Sequence, residues 1–292
     1  MSSRPAVSIV MRTKHRPILF RRAIESVRAQ SFTNWELIVV NDGGNPEETI
    51  TAIDTYGLSA RGRAQIVHNT VSRGAEAASN AGLRQCRGEY CVIHDDDDSW
   101  HPSFLATCIK TMEGSASCTQ GVITHTTTVH EVIRNGVVME RERGPFNGDL
   151  LAVSLFRMAN SNQFPPISFV YRRSVHESLG FYREDLPVLG DWEFNLRFLA
   201  KYNIAVVPQQ LAFYHHRVEV TDSAYANTMM SKRSEYEIVD TMVRNEFLRN
   251  DLETGRFGIG TMVNVARKLE ELSIGQTRLE GMVMHTALKS SE

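Results

Sequence analysis

The sequence predicts an α/β protein: a doubly wound, mostly parallel sheet, then a smaller mixed region and a C-terminal helical appendage. Three observations carry that expectation. Short β-branched runs alternate with helical stretches through the first hundred residues, which is the pattern of strand–helix–strand crossover units. A strong hairpin signal and mixed elements follow. From about residue 222 the β-branched runs thin out and the pattern turns helical.

In order, AVSIVM (6–11) and WELIVV (35–40) read as strands joined by the helical RPILFRRAIESVRAQ (16–30). The polar turn NDGGNPEE leads into a second helix near 46–56, then the strand AQIVH (64–68), an alanine-rich helix at 74–86 and the strand YCVIH (90–94). Four strands with helical crossovers make a doubly wound sheet. HPSFLATCIKTM reads as a helix, and GVITHTTTVHEVIRNGVVMERER (121–143) as two strands turning at Asn135-Gly136, a favoured hairpin dipeptide. NQFPPISFVYRR holds a short strand, GDWEFNLRFLAKY (190–202) an amphipathic helix, and IAVVP and LAFYHH two further strands. Leu269, Leu272 and Leu279 recur at roughly heptad spacing, which suits a helix pair or the surface of a homodimer.

With 34 acidic and 32 basic residues among 292, the net charge of -2 gives no global field for nucleic acid or acidic membranes. The start, MSSRPAVSIVM, has too short an apolar core for a secretory signal, and no apolar run approaches the roughly 20 residues of a membrane span. A cytoplasmic protein is expected. Cys86, Cys91, Cys108 and Cys118 have no CxxC spacing and read as reduced thiols rather than a metal or disulfide framework.

In doubly wound sheets ligands bind at the carboxyl ends of the strands. Arg12 and Thr13 follow the first strand, Asn41 and Asp42 the second, His68 and Asn69 the third, and Asp95 to Asp98 the fourth. Aspartates two apart on an extended chain share a side at about 7 Å and repel by roughly 2 kcal/mol at an effective dielectric near 20. A divalent cation is the natural compensation, and clustered hard oxygens suit Mg²⁺ or Mn²⁺ held together with substrate phosphates. The competing reading is a solvated acidic loop in which Asp98 or Ser99 caps a helix starting near His101. A calcium loop does not fit, because its sixth and twelfth positions would be Trp100 and Ala106. MRTKHRP contains no glycine, which argues against a nucleotidyltransferase phosphate loop, and neither a P-loop nor a GxGxxG motif is present.

Taken together, VSIVMRTKHRP, WELIVVNDGG, RGAEAASNAGLRQCRGEY, VIHDDDDSWHP and GDWEFNLR resemble, in order and spacing, the family 2 glycosyltransferases of the GT-A fold. The resemblance spans residues 7 to about 216 and implies a domain over 1–220, with a nucleotide-binding half (1–100) and an acceptor-binding half (101–220), followed by a helical extension over 221–292. It implies metal-dependent, inverting transfer from a nucleotide-diphospho-sugar, uridine- or thymidine-linked, to a hydroxyl of a glycan or lipid-linked acceptor. Peripheral association with the inner membrane face would suit a lipid-linked acceptor.

By that resemblance Asp42 accepts the N3–H of a pyrimidine, Arg12 and Thr13 line the same pocket, Arg73 lies near the donor, Asp95 faces the donor ribose and sugar, and Asp97 holds the metal. Asp191 matches the base that takes the acceptor proton, although Gly190 stands where the family usually has Glu; Glu193 is the rival base. His216 matches a histidine completing the metal or diphosphate site, with His215 as the fallback and Arg217 as a phosphate ligand. His94 reads as a core histidine, Asn80 as a packing or hydrogen-bonding residue, and Asp96 has no assigned role. Two other classes stay open: a sugar-nucleotide-binding protein without catalysis, and a metal-dependent phosphohydrolase built on the acidic run.

Overall fold

A computed structural model describes residues 4–217 and 233–289. The first half follows the alternation of the sequence: β1 (Val7–Thr13), α1 (Pro17–Arg28), β2 (Trp35–Asp42), α2 (Pro46–Thr55), β3 (Ala64–Asn69), α3 (Ala75–Leu83) and β4 (Tyr90–Asp95). Proline opens α1 and α2, where its missing N–H would be unpaired anyway. Asn45 caps α2 by accepting the Glu47 N–H. Leu19, Phe20, Ala23, Ile24 and Val27 form the buried stripe of α1, each large side chain contributing about 1.5–3 kcal/mol of transfer free energy.

The second half comprises β5 (Ser99–Trp100), α4 (Phe104–Glu113), β6 (Thr119–Arg134), β7 (Val137–Pro145), α5 (Leu155–Asn160), β8 (Phe169–Arg172), α6 (Val175–Leu179), α7 (Gly190–Leu199) and β9 (Asn203–Arg217). Two long helices follow, α8 (Arg233–Thr254) and α9 (Ile259–Lys289). The strand order is β3-β2-β1-β4-β8-β6-β9-β5, with β7 paired to β6. β3, β2, β1 and β4 are mutually parallel, whereas β8 runs antiparallel to both β4 and β6. The turn at Asn135-Gly136 has both residues at positive φ, the type I′ geometry that those residues favour.

The two strands expected at IAVVP and LAFYHH form one strand, β9. Its register against β6 slips between Thr124 and Thr126, next to Pro208, which has no N–H to give the ladder. Pro208 is accommodated within the strand as an irregularity.

One core lies between the sheet and α1, α2 and α4; the other, on the opposite face, is built on Val10, Ile38, Val40 and Ile93. The C-terminal helices join the second core, with Val239 and Val243 of α8 and Val263 and Ala266 of α9 buried in the cluster that holds Trp192 and Phe194. Arg244, 5 % exposed, donates to the carbonyls of Ala159 (2.9 Å), Asn160 (2.8 Å) and Val263 (2.6 Å). It also pairs with Asp240 and lies 4.8 Å from the Trp192 ring centroid. Farther along α9, Leu269, Leu272 and Leu279 are exposed. The expected boundary at 220/221 lies outside the described residues. No helix among the described residues is long and apolar enough to cross a membrane.

Candidate active site

Parallel register brings the strand ends together: Arg12 lies beside Asp95, Thr13 beside Asn41, and Asp42 beside Asn69. The Arg12 guanidinium grips Asp95 Oδ1, through Nε at 2.9 Å and through Nη2. Its remaining nitrogen reaches Ser79 Oγ (3.1 Å) and the Ala75 carbonyl (3.2 Å). Burial works against that charge, but Asp95 and Glu76 more than offset it and raise the Arg12 pKa. Arg12 therefore faces Asp95 and α3 rather than Asp42, while the Thr13 hydroxyl donates to Asp96 (2.8 Å).

The four aspartates of the acidic run have four different environments. Asp95 keeps a side-chain exposure of 26 %, and both of its contacts with Arg12 are made through Oδ1. Asp96 is buried and accepts from Thr13, the Lys14 N–H (3.4 Å) and Arg16 (3.3 Å). Burial pushes its carboxyl up to about 6, Arg16 opposing and Asp97 adding to the shift. Asp96 thus ties the run to the end of β1, a structural role its sequence context did not reveal.

Asp97 Oδ2 accepts from Arg16 (3.0 Å) and from Arg217. Burial alone would raise its carboxyl, but those two guanidinium groups hold it below the ordinary range. Asp98 is not a cap. The helix α4 begins only at Phe104, after Ser103, and the chain between them enters β5. Asp98 is 1 % exposed and accepts the His215 N–H at 2.9 Å; burial, then Asp97 and Asp95, push its carboxyl well up. It pins the acidic run to β9.

Strand alternation separates the two histidines of β9. His215 is clamped between Ser99 Oγ (2.9 Å) and Glu131 (2.9 Å), and Glu131 also accepts from Arg22 (2.6 Å) and Arg217 (3.3 Å). Burial would raise Glu131, but His215 and Arg22 bring it down to about 2. His216 faces the other way, edge-on to Tyr214 at 4.3 Å between ring centroids. Its Nε2 is buried without a hydrogen-bond partner, and burial lowers its pKa, so the imidazole is a neutral donor. His94 is fully buried against Trp100 and its pKa falls by burial to about 4, as expected of a core histidine.

Asp42 is the hub of a loop. Oδ1 accepts from Asn69 Nδ2 (2.8 Å) and the Arg73 N–H (2.9 Å); Oδ2 accepts from Ser72 Oγ (2.7 Å), the Gly74 N–H (3.1 Å) and the Arg73 N–H (3.1 Å). Burial is outweighed by these donors, which lower its pKa. Gly43, at φ +79°, lets this loop approach: a β-carbon there would sit 2.6 Å from the Ser72 nitrogen. The Arg73 side chain is exposed and pairs with Glu184 at 3.1 Å. Asn80 bonds Tyr182 through both its amide atoms, the hydrogen-bonding role expected of it.

Asp191 lies in the first turn of α7, just after Leu189, whose φ of 64° is strained for a non-glycine residue. Its Oδ1 accepts the Trp192 N–H (2.8 Å) and its Oδ2 accepts from Asn162 (2.8 Å). Burial raises its carboxyl, the Trp192 N–H and Arg12 opposing. Glu193 is 2 % exposed and both its oxygens accept from Arg197 at 2.7 Å, so the rival carboxylate is committed to its own helix.

Arg16, Arg22, Glu131, Asn162 and Glu76 join this neighbourhood without having been singled out in the sequence. For Arg16 the basic run RTKHR directly after β1 was a usable signal; Glu131 and Asn162 reach the site only through tertiary folding. Asp97 Oδ1 and His216 Nε2 have no hydrogen-bond partner among the described residues and are of the donor types that a divalent cation takes. No three His, Cys, Asp or Glu side chains among the described residues form a ready-made cage, so such an ion would draw further oxygens from a bound diphosphate.

The sequence and the fold have counterparts among known proteins. "Uncharacterized glycosyltransferase YwdF" of Bacillus subtilis is 25 % identical over 210 residues, 71 % of this chain and 73 % of that protein. The crystal structure of S. aureus TarS 1–349 matches with a TM-score of 0.66 at 16 % identity, covering 93 % of this chain and 73 % of that one; TarS 1–349 has also been solved with UDP-GlcNAc. The mannosyltransferase PcManGT of Pyrobaculum calidifontis, solved with GDP-Man and Mn²⁺, matches with a TM-score of 0.60 at 17 % identity, covering 92 % of this chain and 70 % of that one. These structural likenesses establish the GT-A fold. The family model "Glycosyl transferase family 2" matches residues 8–180, more than half of the chain, and the protein belongs to that family of glycosyltransferases.

Proposed function

We propose that this glycosyltransferase inverts the anomeric carbon in one displacement, moving a sugar from a uridine- or thymidine-linked nucleotide-diphospho-sugar to a hydroxyl of a glycan or lipid-linked acceptor. The observation that carries the reading is the meeting of Asp95, Asp97 and Asp191 with Arg12, Arg16 and Arg217 around the open ends of β1 and β4. UDP-GlcNAc on TarS and GDP-Man with Mn²⁺ on PcManGT support a nucleotide-sugar donor and a divalent ion.

The loop organised by Asp42 receives the base, with Arg73 at its edge, and Arg12 presents Asp95 to the ribose and sugar. Arg16 and Arg217 lie where the diphosphate charge would fall. Asp97 and His216 would hold Mg²⁺ or Mn²⁺, which when bound takes up charge on the departing diphosphate. Asp191 is the base: Asn162 and the Trp192 N–H fix its carboxylate, and a carboxyl raised by burial is better matched to a hydroxyl proton than an exposed one. Residues 1–220 perform the transfer, 1–100 on the donor and 101–220 on the acceptor. The extension over 221–292 offers Leu269, Leu272 and Leu279 to a second copy. A cytoplasmic site of action at the inner membrane face would suit a lipid-linked acceptor.

A thermal-shift screen of nucleotide sugars with Mn²⁺ identifies the donor, because a ligand raises the midpoint according to its affinity and concentration. With that donor, Asp191→Asn should keep binding while turnover falls about 10²-fold or more, as for loss of a general base; undiminished transfer would remove the base assignment. Asp97→Ala should abolish Mn²⁺-dependent binding of UDP, and unchanged calorimetric affinity with and without Mn²⁺ would remove the metal assignment.

A further inference from the structure

Glu76 is a buried carboxyl that the proposed reaction leaves unused. It lies in the first turn of α3, is 9 % exposed, and makes no hydrogen bond with its side chain among the described residues. Its nearest cation is Arg12, at 4.0 Å, whose nitrogens are already committed to Asp95, Ser79 and Ala75. Gly190 provides its room. A β-carbon at Gly190 would lie 2.5 Å from Glu76 Cδ, 2.6 Å from Cγ and 2.7 Å from Oε1. The Glu76 head group therefore fills the volume that a side chain at residue 190 would occupy, against the backbone that carries Asp191.

Building on the reading of Asp191 as the base, we infer that Glu76 is the second carboxyl of the acceptor end, a positioning residue that shares one proton with Asp191 and fixes the charge of that base. Two neighbouring carboxyls do not both ionise cheaply, and one of them retains a proton. Glu76 is the one that holds it, because Asp191 has Asn162 and the Trp192 N–H as donors to its charged form and Glu76 has none among the described residues; burial also pushes Glu76 up to about 7, with Arg12 opposing and Asp191, Asp95 and Glu193 adding. The groups facing it are Arg12 of β1, Asp95 of β4, Asp191 and Glu193 of α7, Tyr182 before α7 and Tyr236 of α8.

In the transfer step the acceptor O–H bond breaks and its proton passes to Asp191. The acceptor oxygen bonds to the anomeric carbon, and the bond from that carbon to the diphosphate oxygen breaks, its electron pair leaving with the nucleoside diphosphate. The Glu76 proton is not consumed. While it stays, Asp191 is the ionised member of the pair; once Glu76 ionises, its charge raises the proton affinity of Asp191.

The test moves the carboxyl as well as removing it, using Glu76→Gln, Glu76→Ala, Gly190→Glu and the double variant Glu76→Ala/Gly190→Glu in the full chain. The first measurement needs no ligand: thermal midpoints from pH 4 to pH 8.5. A raised folded-state value means that the unfolded chain releases its proton first, so the Glu76 contribution to stability falls as pH rises from the ordinary value of 4.5 to about 7 and is level above that. Glu76→Gln should remove this fall. Gly190→Glu should lower the midpoint, because two carboxyls would claim one volume, and the double variant should recover it.

The second measurement is the pH dependence of nucleoside diphosphate release, with UDP-GlcNAc, UDP-glucose and GDP-mannose as probe donors. Wild type should show an inflection near pH 7 in kcat that Glu76→Gln lacks, with the loss in kcat rather than in the donor KM. The double variant should turn over at least about 10-fold faster than Glu76→Ala, consistent with restoring a positioned carboxyl. A Glu76→Gln protein with the wild-type pH dependence of stability, or of kcat, would overturn the proposal. Failure of the Asp191 reading gives a different result: Asp191→Asn would keep full turnover while the pH dependence of stability still disappeared in Glu76→Gln.

Discussion

Replacing Asp42 by Asn preserves the size of the side chain but removes its charge and turns one of its two acceptor oxygens into a donor. The Arg73 N–H reaches both oxygens and keeps an acceptor either way, but loss of Oδ1 strands Asn69, and loss of Oδ2 strands Ser72 and the Gly74 N–H. Hydrogen bonds to a charged acceptor contribute about 1.5–3 kcal/mol each, and the side-chain donors can partly turn to water, so the expected loss is about 2–4 kcal/mol. For a domain of this size that corresponds to a fall of about 4–16 °C in Tm. The assay is thermal unfolding by circular dichroism at pH 7 and at successively lower pH. These donors depress the Asp42 pKa, so its stabilisation is present above the ordinary aspartate value of 3.8 and is lost as pH falls through the lower folded value. The gap between wild type and Asp42→Asn should therefore close in acid. A Tm change under about 2 °C at neutral pH, well below that expectation, would refute the view that Asp42 organises the loop.

Arg244→Met should cost about 3–5 kcal/mol, because it strips a buried pair and leaves three carbonyls without their donor; urea unfolding measures it, and a loss below about 1 kcal/mol would contradict the role given to that guanidinium. The cysteines provide a chemical check on the burial pattern. All four are free, and Cys86, Cys91 and Cys108 are buried while Cys118 is exposed; burial also pushes the Cys108 thiol well up, so brief alkylation of the native protein should label Cys118 alone by mass spectrometry. Rapid labelling of Cys108 would show that the core beneath α4 opens readily.

The parallel half of the fold was legible because WELIVV and YCVIH are buried on both faces, and such strands must be continuously apolar. The hairpin was legible because Asn135-Gly136 meets a backbone requirement set by two residues alone. Merging of 204–208 and 211–216 into β9 was not, because whether a proline interrupts a strand depends on the partner strand's ability to slip. Asp98 was misread because local spacing permits a cap, while the bond it makes comes from His215, distant in sequence. The same limit hid Glu76. A single Glu in an alanine-rich helix has no spacing signal, and the oddity at Gly190 takes on meaning only when the two are seen to fill one volume.

Arg244 places a demand on how the chain can be divided. Its guanidinium covers Trp192, the neighbour of Asp191, and holds the carbonyls of Ala159 and Asn160, shortly before the Asn162 that orients Asp191. The stiffness of the Asp191 carboxylate thus comes partly from helices that lie past the end of the sheet. A chain ended after β9 would bare an indole and two carbonyl groups close to Asp191, and on the proposed reading its defect should show first in turnover, with nucleotide-sugar affinity the last property to fail.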